Sequence, residues 1–101
     1  MTGQIHYTDL ASIDFKFREF HAANPQVFLA LERLAARWFA RGKRKCGVGA
    51  LWEVMRWEMA LSTEGDDFKL NNNYRSRYVR LLIKHHPDWE DRFEIRQLRS
   101  W

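Results

Sequence analysis

Residues 69–84 carry five cations, Lys69, Arg75, Arg77, Arg80 and Lys84, and residues 69–87 contain no acid. At about 100° per residue on a helix, Arg77, Arg80 and Lys84 fall together on one side. Tyr74, Tyr78, Leu81, Leu82 and His85 fall on the other. Asn71, Asn72 and Asn73 stand at the entry, with side chains that can accept the unpaired amides of a helix start. An amphipathic helix with a cationic outer stripe and an Asn-rich cap suits a DNA major groove, where Arg pairs with guanine edges and Asn with adenine edges. Its free N-terminal amides would add phosphate contacts. The competing assignment is a solvated basic face, with the asparagines acting only as caps and turn formers. A second cluster, Arg41, Lys43, Arg44 and Lys45, can hold phosphates without reading sequence, or serve as a plain soluble turn.

For catalysis the inventory is thin. His85 and His86 are adjacent, so on a helix they point about 100° apart and lack the face that an i, i+4 histidine pair presents to a metal. Glu64, Asp66 and Asp67 lack the alternating acids and distal Glu of a calcium loop. Glu53 and Glu58 are poorly spaced for a general acid and base. Cys46, beside Lys45 and near a helix start, has the setting for a lowered pKa, but a lone packed thiol is the simpler reading. No phosphate-cradling glycine loop or nucleophile elbow occurs. The expectation is a protein that is not an enzyme and uses no cofactor and no metal.

Five helical signals position these residues. Leu10, Ile13, Phe17 and Phe20 form one helix face, with Thr8 as a cap, ending before Pro25. Asn24, whose side chain can accept an orphan amide as a cap, followed by Pro25 starts a second helix over 25–41. In it Phe28, Leu31, Leu34, Ala35 and Trp38 keep the apolar stripe, and Gly42 supplies a left-handed end. Val48, Leu51, Trp52, Met55 and Met59 mark a third helix over 48–61, in which Trp57 is read mainly as core, or with Arg56 at a surface. Residues 62–70 read as a loop and 72–85 as the fourth helix, stopped by Pro87. Pro87 opens a short final helix around Trp89 and Phe93. Beyond that, Phe93, Ile95 and Leu98 fit either a helical tail or a short strand. Residues 1–8 are expected to be a flexible N-terminus.

The 101 residues make one domain, with 46% hydrophobic and 15% aromatic residues able to close a core without disulfides. A single cysteine suits a reducing cytosol. Neither a secretory leader nor a membrane-length apolar run is present, so the expected location is the cytoplasm. The net charge is +4, with eight Lys and Arg against four acids in residues 1–50 and nine against nine in 51–101. That balance permits an anionic partner without requiring one.

The segments FREFHAANPQVF, GALWEVMRWEMAL and GDDFKLNNNYRSRYVRLL resemble a family of small, mostly uncharacterised proteins of bacteriophages and prophages. The likeness covers about residues 15–96 and rests on Phe20, His21, Asn24 and Pro25, on Arg56, Trp57 and Glu58, and on Gly65, Asp66, Phe68, Lys69, Asn71, Asn72, Asn73 and Tyr74. It implies little about activity. Small phage proteins, however, often bind and redirect a host protein, which would place them in the host cytoplasm.

The expected architecture is a single, mainly α domain of four to five helices, helix-turn-helix-like, with a short C-terminal strand as a wing. The leading functional reading is a double-stranded DNA-binding protein. In it Asn72, Asn73, Arg75, Arg77 and Arg80 meet bases or phosphates, Lys69 and Lys84 add charge to the basic segment 69–84, and Lys43, Arg44 and Lys45 hold the backbone. The alternative is a host-protein interface built from Trp52, Trp57, Tyr78 or Trp89, since such anchors dominate interface energies. Homodimerisation is common among helix-turn-helix proteins, but no residue specifies it here.

Overall fold

Asn24 and Pro25 end one helix and begin the next. The computed structural model describes residues 7–62 and 70–94, with the backbone alone for 7–11. Helix α1 spans Tyr7–Ala23 and α2 spans Pro25–Ala40, with Asn24 between them. Pro25 takes the first turn of α2, where a missing N–H breaks no hydrogen bond. Asn24 does not cap α2 with its side chain, contrary to expectation. Its Nδ2 donates to the Phe20 carbonyl at 3.1 Å, and its backbone N–H donates to the same oxygen at 2.8 Å. The side chain therefore closes the end of α1 instead. Tyr7 and Thr8, expected in a flexible N-terminus, are already helical.

Helix α2 stops where Gly42 takes φ +87° and donates its N–H to the Phe39 carbonyl at 3.0 Å. An added Cβ at Gly42 would meet no atom within 4 Å, so substitution there carries backbone strain and no clash. Gly42→Ala is expected to cost about 1 kcal/mol. That corresponds to a fall in melting temperature of roughly 4–8 °C, read by calorimetry.

Strand β1 (Cys46–Gly47) leads directly into α3 (Val48–Ser62). A 3-10 turn at Asn72–Tyr74 then enters α4 (Arg75–His85), so the helix read over 72–85 begins three residues later than expected. Asn71 is the capping residue, its side chain accepting from the Asn73 N–H at 2.8 Å. A second 3-10 turn at Pro87–Trp89 precedes β2 (Phe93–Glu94), which pairs in parallel with β1, Cys46 opposite Phe93 and Gly47 opposite Glu94. At Phe93 the choice between helix and strand resolves to strand; Ile95 and Leu98 lie outside the described residues. Residues 41–47 join α2 to α3, and residues 70–74 are the described part of the connection from α3 to α4. Both connections exceed the three- or four-residue turn of a helix-turn-helix unit.

The four helices form a single, mainly α domain whose largest fully buried side chains are Val27, Leu31, Trp52, Met55, Tyr78 and Leu82. Each arrives from the buried stripe of its own helix, and burying one such side chain is worth roughly 1.5–3 kcal/mol. Trp52, Tyr78 and Trp89 are thus core residues, which corrects their assignment to a partner-binding surface. Of those four aromatics only Trp57 is exposed, at 67%, and the expectation that it is mainly core is corrected too. Trp38, placed by periodicity in the apolar stripe of α2, is 43% exposed. It sits in the last turn of α2, and its indole N–H donates to the Lys45 carbonyl. No helix among the described residues is long and apolar enough to cross a membrane.

Candidate nucleic-acid interface

Phe17 fixes how α1 meets α4. Its buried ring packs edge-on against Tyr78 at 4.8 Å and tilted against Tyr74 at 5.6 Å. That contact lays the α1 residues Asp14 and Arg18 alongside the α4 row of Arg77, Arg80, Leu81 and Lys84. Together with Phe17 they line an open cleft. Phe17 and Leu81 form its apolar part, and among the described residues four cations face one acid across it.

The acid is already spent. Asp14 Oδ1 accepts from Arg77 Nε at 2.6 Å, and Arg77 Nη1 also donates to the Asn73 carbonyl at 3.1 Å. The Arg77 side chain is only 15% exposed, so it latches α1 to the start of α4 and is poorly placed to read a base. Arg18, Arg80 and Lys84 are exposed, and among the described residues none of them is ion-paired. Three uncompensated charges therefore rim the cleft.

The remaining candidates divide. Asn72 Oδ1 accepts from the indole N–H of buried Trp52 at 3.0 Å, which commits its acceptor to the core. Asn73 is exposed, with its backbone N–H held by Asn71 and its carbonyl by Arg77. Arg75 is half-buried and about 200° around the helix from Arg77, outside the cationic row. Lys69 lies outside the described residues. Lys43, Arg44 and Lys45 stand on the turn between α2 and β1, and among the described residues no hydrogen bond or ion pair joins that turn to the cleft. Arg18 was missed in the sequence because it sits among mixed charges (Lys16 and Glu19 flank it closely); only the packing of α1 on α4 gives it a role.

Other titratable groups are occupied. Glu53 pairs with Arg56 at 3.3 Å and Glu58 with Arg33 at 2.6 Å, so the two glutamates serve different partners. The His85 ring packs on Phe28 with centroids 5.1 Å apart. His86 contacts Glu32 at 2.7 Å and stacks on Trp89 at 3.9 Å. Cys46 is buried, and burial pushes its thiol up, which removes the activated-thiol alternative. Burial, and after it the neighbouring Tyr74 phenol, push the Tyr78 phenol up. No group of three His, Cys, Asp or Glu that could hold a metal occurs among the described residues, and the acidic loop at 64–67 lies outside them. No family model, curated protein or solved structure matches the chain.

Proposed function

We propose that the protein binds double-stranded DNA by its phosphates, with the α1–α4 cleft as the contact surface. The observation that carries this reading is the convergence of Arg18, Arg80 and Lys84 on one cleft whose only acid among the described residues is neutralised by Arg77. Cations without carboxylate partners attract a polyanion and release its counterions on binding. Because Asn72 serves Trp52 and Arg77 serves Asp14, the described contacts favour gripping the backbone over reading base edges. No cofactor or catalytic step enters this reading.

The test is fluorescence anisotropy of a labelled duplex of random sequence titrated with the protein at about 50 and 200 mM salt. A steep loss of affinity with salt supports phosphate contacts. No binding at the lower salt sinks the proposal.

A second reading has its own observation. Val54, Trp57 and Leu61 recur at three and four residues along α3 and are 48%, 67% and 77% exposed, an apolar stripe facing solvent. It supports docking of a protein partner, such as a host protein. Trp57→Glu is expected to change stability by no more than about 0.5 kcal/mol. If the stripe docks a protein, the substitution abolishes partner capture in a pull-down that otherwise survives high salt, since apolar interfaces are little screened.

A further inference from the structure

We propose that the turn between α2 and β1 is a separate single-stranded nucleic-acid site, in which an unpaired base stacks on Trp38 and the surrounding cations hold the adjacent phosphates. Trp38 is fixed by its edge: Nε1 donates to the Lys45 carbonyl while 43% of the residue stays exposed. A ring held by its edge keeps its π surface for stacking and loses little freedom when a base arrives. Lys43 Nζ lies 5.4 Å from the Trp38 ring centroid, an exposed cation–π contact weaker than base stacking on an indole. A base can displace it and leave the ammonium beside the next phosphate.

The turn around this ring is built to present cations. Arg92 donates from Nη2 to the Lys43 carbonyl at 2.8 Å and from Nε to the Arg44 carbonyl at 3.2 Å, with its guanidinium 4.2 Å from the Phe39 ring centroid. With Trp38 on the Lys45 carbonyl, three successive backbone oxygens are tied to donors. Those three carbonyls therefore each already accept a hydrogen bond within the fold. The Cys46 N–H donates to the Arg92 carbonyl at 2.8 Å, and Lys45 Nζ donates to the Asp91 carbonyl at 2.7 Å. These bonds hold both sides of the turn. Arg37, Arg41, Lys43 and Arg44 are exposed, and among the described residues none of them is ion-paired. In a duplex the base faces are already stacked on one another, so an indole face selects unpaired bases. This site holds whether or not the α1–α4 cleft grips duplex DNA.

The experiment compares labelled oligothymidylate of about 20 nucleotides with a duplex of the same length, in anisotropy titrations at about 50 mM salt. Trp38→Leu is expected to weaken oligothymidylate binding about tenfold, and Trp38→Phe, which keeps an aromatic face, about threefold. Duplex binding should stay within about twofold in both, because the cleft is untouched. The paired change Arg80→Ala with Lys84→Ala should leave oligothymidylate binding intact. If Trp38→Leu does not fold, Lys43→Ala with Arg44→Ala replaces it, and the salt slope for oligothymidylate should fall by about 1.4. On titration with oligothymidylate, the indole N–H resonance absent from Trp38→Phe is expected to shift in the wild type. The proposal is overturned if wild-type protein does not bind oligothymidylate, if both Trp38 variants bind it like wild type, or if the Arg80 and Lys84 pair abolishes it equally.

Discussion

Changing Arg80 and Lys84 together to Ala is expected to cut the salt dependence of duplex binding to about a third. Each phosphate contact adds about −0.9 to the slope of log affinity against log salt, so Arg18, Arg80 and Lys84 together give about −2.7. Between about 50 and 200 mM salt that slope predicts a loss of affinity near 40-fold, against about threefold to fourfold when Arg18 alone remains. Both side chains are exposed, so the double variant should melt close to wild type. Asp14→Asn supplies an opposite sign in the same assay. It breaks the ion pair with Arg77, worth at most about 1 kcal/mol at this exposure, yet it removes the one acid that lines the cleft among the described residues. Duplex affinity should therefore rise. Weaker binding in Asp14→Asn, or an unchanged salt slope in the double variant, would show that the cleft is not the phosphate surface.

The helices were legible because their signals are local. Pro25 after Asn24, the stripe from Val48 to Met59 and the left-handed stop at Gly42 each act within a few residues, and each appears where its chemistry requires. The cationic row on α4 was legible for the same reason. Which polar side chain meets which partner was not, since that depends on distant packing. Asn72 accepts from Trp52, twenty residues away, and Arg77 meets Asp14 across sixty-three. Nothing in the Asn triplet distinguishes the residue that caps from the one that supports a buried indole. Exposure of the aromatics failed similarly. Trp52 and Trp57 point about 140° apart on α3, so the side of that helix turned to α2 and α4 buries the first and leaves the second in solvent. Arg18 gains its place solely because Phe17, one residue earlier, is clamped by Tyr74 and Tyr78.

Trp52 and Tyr78 are both almost fully buried, but their polar atoms differ, and so do the expected effects of changing them. The Trp52 indole N–H is satisfied by Asn72, whereas among the described residues the Tyr78 hydroxyl has no hydrogen-bond partner. Trp52→Ala removes the largest core side chain and should cost about 3–5 kcal/mol. A domain of this length holds roughly 5–15 kcal/mol in total, so melting should fall by roughly 15–30 °C. Tyr78→Phe removes only an oxygen that burial penalises and that gains nothing in return. It should leave stability unchanged or raise it by up to about 1 kcal/mol, keeping the ring contacts to Phe17, His21 and Trp52. Asn72→Ala falls between them. It strands the indole N–H at a partly open site, costing about 1 kcal/mol, and should leave duplex affinity unchanged. Denaturant melts of the three variants beside the duplex titration separate the two roles proposed for this asparagine. Lower stability with unaltered DNA binding places Asn72 in the core's support, and the reverse pattern would return it to the base-reading surface.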